Sequence, residues 1–212
     1  PYTTLFRSIL PPLTNRENIS QPFYMEILTA INEEASCNSQ VVSIATGATL
    51  DELVKQVKLM HRQKRADGFI ILYSETKDPV KDYLLKEKVP FVVIGAAVDN
   101  TNKVTYIDND NKAIGQEAVF YLNSRGHQTI GFVTDDLFGQ VGQERYQGYK
   151  DAVSELHIES LPELVFSSQT IDSFKKHLRT FLPTALVVKD DLVALRLIQW
   201  VNNQGIKIPK DY

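Results

Sequence analysis

Two aspartate pairs, Asp135-Asp136 and Asp190-Asp191, are the most direct offer of chemistry in this sequence. Paired carboxylates divide general acid and base work when their surroundings push their proton affinities apart. Aspartates at the ends of apolar runs serve equally well as solvated loop acids and helix caps. Four histidines (His61, His127, His157, His177) and a single cysteine, Cys37, complete the reactive inventory. Their separations match no metal-ligand spacing. Gly139-Gln140-Val141-Gly142 comes nearest to a phosphate-cradling loop, but fits neither Gly-x-x-x-x-Gly-Lys-Ser/Thr nor Gly-x-Gly-x-x-Gly. No Gly-x-Ser-x-Gly nucleophile elbow occurs. A chain this poor in catalytic constellations reads as a binding module, with no cofactor, no metal and no enzymatic activity.

The elements that must carry these residues alternate. Short apolar runs at 5–10, 40–46, 68–73, 91–95, 103–107, 129–134, 163–166 and 185–189 predict strands. Phe69-Ile70-Ile71-Leu72 and Phe91-Val92-Val93-Ile94 are continuous rather than alternating, as suits parallel strands covered on both faces. Between them lie helical stripes with start and stop signals. Ser20-Gln21-Pro22 opens the first, with Phe23, Ile27, Ala30, Ile31 and Ala35 on one face. Thr49-Leu50-Asp51-Glu52 is a capping box opening the second. Asp78-Pro79 opens the third, and Asn109 or Asp110 the fourth, which points Ala113, Ala118 and Leu122 inward. Tyr146, Tyr149, Val153 and Leu156 mark the fifth; Phe174, Leu178 and Phe181 the sixth; Leu192, Leu195, Ile198 and Val201 the seventh. Cys37 ends an apolar stripe and reads as a small buried hydrophobe.

The pattern is two doubly wound α/β series with parallel sheets. Asp99-Asn100-Thr101-Asn102 interrupts it, which predicts an N-terminal subdomain at 1–102 and a C-terminal one at 103–212. Ligands of such folds bind beyond the carboxyl ends of the strands, in a cleft where two sheets face each other. The charge balance of 23 basic to 26 acidic residues does not steer the chain onto nucleic acid. No apolar run approaches a membrane span, and one cysteine fits a reducing, cytoplasmic compartment.

The loops and helix ends also spell out a family pattern. Pro22-Phe23-Tyr24-Met25-Glu26-Ile27-Leu28 resembles Asn-Pro-Phe-Phe-x-Glu-Leu-Leu. Ala66-Asp67-Gly68-Phe69-Ile70 resembles Val-Asp-Gly-Ile-Ile, and Pro90-Phe91-Val92-Val93-Ile94 resembles Pro-Val-Val-x-Ile. Asp108-Asn109-x-x-Ala113 is similar to Asp-Asn-x-x-Ala/Gly. Gly126-His127-Gln128-Thr129-Ile130-Gly131-Phe132 resembles Gly-His-x-x-Ile-Gly-Phe, the most specific run. Arg145-x-x-Gly148-Tyr149-x-x-Ala152 and Gly205-x-x-x-Pro209-x-Asp211 complete the order. Collinear from Pro22 to Tyr212, these motifs resemble the effector domain of LacI/GalR-family transcriptional regulators.

The resemblance implies a type I periplasmic-binding-protein-like fold and a homodimer. It also implies a sugar or sugar derivative bound in the cleft, and operator DNA reached through a headpiece that has no counterpart in these residues. The family's C-terminal continuation is also missing from the pattern. The lengthened loop at 11–20 resembles that of maltose-operon repressors, which makes maltose one candidate effector. Arg145 is the position that implies effector contact from the second subdomain; its five donors in a fixed fork suit vicinal hydroxyls. Phe23 and Tyr24 imply an apolar wall for a ring, with core packing as the alternative for Phe23. Asp190 implies a hydroxyl acceptor, or else the N-cap of the helix that follows. Tyr106 lines the cleft or packs against helices. Gly95 departs from an aspartate that the family often carries. The helices after Thr49 and Asp78 are the candidate dimer surface, although Leu50, Leu53, Leu84 and Leu85 equally suit the core. Two other readings share the fold class: a solute-binding protein of a sugar transporter, and an α/β enzyme on sugars or nucleotides.

Overall fold

The computed structural model describes residues 5–12, 22–98, 103–137 and 139–208. The chain divides into two compact units, Pro1–Asn109 and Asp110–Tyr212. In the first, a fully parallel sheet runs in the order β2-β1-β3-β4-β5. Its strands are β1 (Leu5–Ile9), β2 (Val41–Ala45), β3 (Gly68–Ile71), β4 (Phe91–Ile94) and β5 (Thr105–Ile107). Ile9 pairs in register with Ala45 on one side and Ile71 on the other. In the second unit, β6 (Ile130–Thr134), β7 (Leu164–Val165) and β8 (Ala185–Val188) form a parallel sheet in the order β7-β6-β8.

The sequence places the division at 102/103; the structure places it seven residues later. Tyr106 pairs with Val93 and Ile107 with Ile94, so β5 closes the first sheet instead of opening the second. The break at 99–102 that the sequence marks does not end the sheet, since β5 follows it in the same sheet. Residues 99–102 themselves lie outside the described residues.

Helix positions follow the caps. Helix α1 spans Pro22–Cys37, α2 Leu50–Arg62, α3 Pro79–Glu87 and α4 Asn111–Ser124. Helix α5 spans Gln140–Glu155, α6 Ile171–Phe181 and α7 Asp191–Asn203. Thr49 Oγ1 accepts from Glu52 N at 3.3 Å, and Glu52 returns a carboxylate to Ala48 N at 2.8 Å. Asp78 caps α3 through Val80 N, with Pro79 in the first turn. Asp110 rather than Asn109 caps α4, accepting from Ala113 N at 2.9 Å.

Both faces of each sheet are covered. Leu53 and Val57 of α2 and Val80 and Leu84 of α3 bury against Ile9, Phe69, Ile71 and Val93. Leu53 and Leu84 are therefore core, not dimer surface; both are fully buried. On the other face, Ala30, Ile31 and Ala35 of α1 line a groove of about 580 Å³ with Phe6, Val42, Ile70 and Val92. Ala35 is the only buried residue of α1. Cys37, two positions further and about 200° around the helix, is exposed, contrary to the expectation of burial.

In the second unit, β6 is buried along its whole length. Its alternating side chains separate two cores. Ile130 and Phe132 meet Val119 of α4 and Tyr149, Ala152 and Val153 of α5. Val133 meets Phe174 of α6 and Val193, Leu197 and Val201 of α7. Tyr149 anchors the first of these cores. Its hydroxyl donates to the Ile130 carbonyl at 2.8 Å and accepts from Leu161 N at 3.3 Å, and burial pushes the phenol up to about 12. Tyr149→Phe leaves both backbone groups unsatisfied and is expected to cost about 1–3 kcal/mol. Urea denaturation measures this; an unchanged midpoint would show that the hydroxyl does not stabilise the fold.

Candidate functional site

Polar side chains gather where β6 and β8 end, as expected for an open parallel sheet. After β8, the Lys189 ammonium lies 2.5 Å from Asp135 Oδ1 and 3.6 Å from Asp190 Oδ2. Arg196 of α7 approaches the other Asp135 oxygen at 3.7 Å. Gly142 makes room for this arrangement, since a Cβ there would stand 2.9 Å from Lys189 Cδ. Thr134, buried at the end of β6, ties down the following turn by donating to the Asp136 carbonyl and accepting from Asp136 N.

Arg145, in the second turn of α5, lies beside this cluster. Its Nε donates to Asn111 Oδ1 at 3.1 Å and its Nη1 to the Lys189 carbonyl at 2.6 Å. Among the described residues, Nη2 has no acceptor and no carboxylate lies within ion-pair range of the guanidinium. Glu144 accepts from Asn111 Nδ2 at 3.4 Å and from Gln140 Nε2 at 3.2 Å, and so does not pair with its neighbour. Arg145, Lys189, Asp190 and Asp191 line a cavity of about 380 Å³ with Gly115 and Ala194.

The structure therefore brings Arg145 and Asp190 into one cavity. Asp190 is also the N-cap of α7: its Oδ1 accepts from Val193 N at 2.8 Å, leaving Oδ2 toward Lys189. The two readings of this residue thus coexist, one oxygen in each. Asp191 takes the first helical position and accepts from Leu192 N. Lys189 and Asn111 are the members of this cluster that sequence reasoning missed. The only signal was a lysine directly between an apolar strand and an aspartate pair.

The first unit has its own polar cluster at the ends of β3, β4 and β5. Tyr73 donates to Asp78 at 3.4 Å, and Ser74 Oγ donates to the Ala96 carbonyl at 2.6 Å. Lys81, buried in α3, reaches the Glu75 carbonyl at 3.5 Å and the Tyr106 hydroxyl at 3.4 Å. Tyr106 is half-buried against the first core. Gly95 leaves β4 with φ +138°, a conformation that disfavours any side chain, and a Cβ there would lie 3.1 Å from Ser74 Cβ. A side chain at this position would be strained here.

Phe23 and Tyr24 meet edge to face, with ring centroids 5.4 Å apart. Phe23 is 46% exposed, so it does not take the core alternative, whereas Tyr24 is half-buried and burial raises its phenol. The helical stripe assigned the reverse order, because it treats α1 as packed along its whole length.

Burial raises the Asp78 carboxyl above its ordinary value, against the lowering by the Val80 and Lys81 backbone bonds. Burial and the nearby Asp78 raise Glu75. A raised folded value means that the native state holds the Asp78 proton more tightly than the unfolded chain. This stabilisation is complete below the ordinary carboxylate range and is lost as pH rises through the folded value. On acidification from neutral pH toward about 4, wild type should therefore gain stability relative to Asp78→Asn, which retains the cap. Urea melts across that range measure the difference; a constant offset would contradict the assigned cause.

Two α/β units with parallel sheets, each gathering polar groups at its strand ends, define the class of periplasmic-binding-protein-like ligand-binding domains. The chain belongs to the family described as periplasmic binding proteins and sugar binding domain of LacI family, whose model matches residues 13–212. It is 28% identical over 201 residues to the HTH-type transcriptional regulator MalR of Staphylococcus xylosus, covering 92% of this chain and 58% of that protein. It is 31% identical over 202 residues to the transcriptional repressor PurR of Klebsiella pneumoniae, covering 89% of this chain and 58% of that one. The crystal structure of a transcription regulator like protein from Staphylococcus haemolyticus superposes with a TM-score of 0.80 at 26% identity, covering 97% of this chain and 76% of that one. The chain thus spans under two thirds of these two curated relatives. Among the described residues, no helix is long and apolar enough to cross a membrane, and no three His, Cys, Asp or Glu side chains are placed to hold a metal ion.

Proposed function

We propose that this chain is the effector-sensing part of a sugar-responsive transcriptional repressor. Arg145 carries the reading. It stands at the ends of β6 and β8, is fixed by Asn111 and the Lys189 carbonyl, and keeps Nη2 available beside Asp190. A fixed guanidinium donor next to a carboxylate acceptor suits vicinal hydroxyls, which both donate and accept. The named relatives are regulators of transcription, which favours this reading over a transport protein or an enzyme. In the whole protein, a headpiece reads operator DNA in the cytoplasm, and two copies pair so that two headpieces span the half-sites. The effector acts through unequal affinity for two conformations, shifting their populations. It is a sugar or sugar derivative, with maltose as one candidate.

The test is a thermal-shift and calorimetry screen of mono- and disaccharides, maltose and ribose included. A saccharide that binds the native chain should stabilise it by about 2.7 kcal/mol at a hundredfold excess over Kd. The same compound should alter DNA affinity of the intact repressor. No saccharide raising the melting temperature would refute the reading.

A further inference from the structure

Charge at the second unit's strand ends is nearly spent on itself. Lys189 already faces Asp135 and Asp190, and Arg196 faces Asp135. Arg145 is the one cation of the cluster with no carboxylate in ion-pair range among the described residues. Two further carboxylates stand close by. Asp191 lines the cavity, and Glu144 is joined to Arg145 through Asn111. Arg145, Lys189, Asp190 and Asp191 line the cavity, and behind them Asp135 and Glu144 stand with Arg196, so these neighbouring groups number four carboxylates to three cations.

We propose that this face selects an uncharged polyhydroxylated ligand and discriminates against its phosphorylated form. The proposal rests on the saccharide-effector reading above and narrows it. A phosphate seeks several donors of positive charge at once. Here it would have to pull Lys189 from Asp135, or else sit on Arg145 within reach of Asp190 and Asp191. Like charges brought together at a binding face are a strong means of rejecting a wrong partner. Neutral hydroxyls meet no such repulsion: they accept from Arg145 Nη2 and donate to the carboxylates without disturbing the ion pairs. The Lys189 stem runs close over Gly142, and the ammonium is held by Asp135 and Asp190.

The experiment has two arms, both on the full 212-residue chain. The first titrates inorganic phosphate against wild type, Arg145→Ala and Asp135→Asn/Asp190→Asn, following thermal stability. General salt stabilisation is common to all three and subtracts out. Wild type and Arg145→Ala should respond alike, while Asp135→Asn/Asp190→Asn, which keeps the α7 cap because asparagine also caps, should gain phosphate affinity by about tenfold. A phosphate response in wild type that Arg145→Ala abolishes would overturn the proposal, as would no gain in the double variant. The second arm needs no variant. It compares a disaccharide with its 6-phosphate by calorimetry, using the maltose, trehalose and cellobiose pairs. The neutral member should bind at least about tenfold more tightly, and tighter binding of any phosphorylated member would overturn the proposal. If no member of any pair binds, the saccharide reading fails for these sugars, and the phosphate arm still decides the discrimination.

Discussion

Gly148→Ala is expected to destabilise the second unit by about 2–3 kcal/mol, although alanine is the better helix former. Glycine in a helix interior ordinarily costs up to about 1 kcal/mol relative to alanine. Here a Cβ at residue 148 would collide with the Lys112 carbonyl oxygen and stand 3.0 Å from Gln116 N. At Gly115, on the facing helix, it would collide with the Arg145 carbonyl oxygen. The obstructing atoms are backbone, so no side chain can swing aside, and the two helices must separate. Overpacking of this kind typically costs about 1–3 kcal/mol and occasionally more, which outweighs the propensity gain. The midpoint should fall by about 2–4 °C for each kcal/mol. Gly115→Ala should act similarly, and the double variant should cost less than the sum, because both spread the same crossing. A rise in melting temperature for Gly148→Ala would refute the close approach. The crossing also bears on the site: α4 carries Asn111 and α5 carries Arg145, so spreading the pair loosens the bond between them.

These glycines also mark the limit of what could be read from the chain. Strands β3, β4 and β6 were legible because a strand buried on both faces must be apolar throughout. The caps at Thr49, Asp78 and Asp190 were legible because a helix end leaves amides that only a few side chains can satisfy. Helix α4 was legible as a helix but not in its buried line. Ala118 and Leu122 pack against the core as the sequence pointed, but the fully buried line runs through Asn111, Gly115 and Val119, which it did not mark. A face that packs by bringing backbones together is lined with small and polar residues, so hydrophobic periodicity passes over it. The placement of β5 was hidden for a different reason: three residues, Thr105, Tyr106 and Ile107, fit either sheet, and only their pairing with β4 decides. The family pattern picked out Arg145 and Asp190, and the structure sets both on one cavity. Lys189 was not picked out, because its role is set by Asp135, 54 positions away in sequence.

Arg145→Ala should weaken saccharide binding by about 1.5–3 kcal/mol, the range for hydrogen bonds involving a charged group. That corresponds to roughly 10- to 150-fold in Kd. The argument turns on preorganisation. Asn111 and the Lys189 carbonyl hold Nε and Nη1, so the ligand does not have to immobilise a long, flexible side chain. Arg145→Lys keeps the charge and loses the fork; it should recover little of the affinity, because one ammonium cannot satisfy Asn111, the Lys189 carbonyl and a ligand hydroxyl in the same geometry. Asn111→Ala removes the Nε anchor, along with the Asn111–Glu144 bond, but keeps the guanidinium and should fall between wild type and Arg145→Ala. Because Arg145 also bonds the end of β8, its removal should lower stability by about 1 kcal/mol, so affinity must be measured by calorimetry well below the melting transition. A saccharide that binds wild type and binds Arg145→Ala equally well would remove Arg145 from the site. Equal affinity of Arg145→Lys and wild type would instead assign the residue's contribution to its charge alone, with no role for the fork.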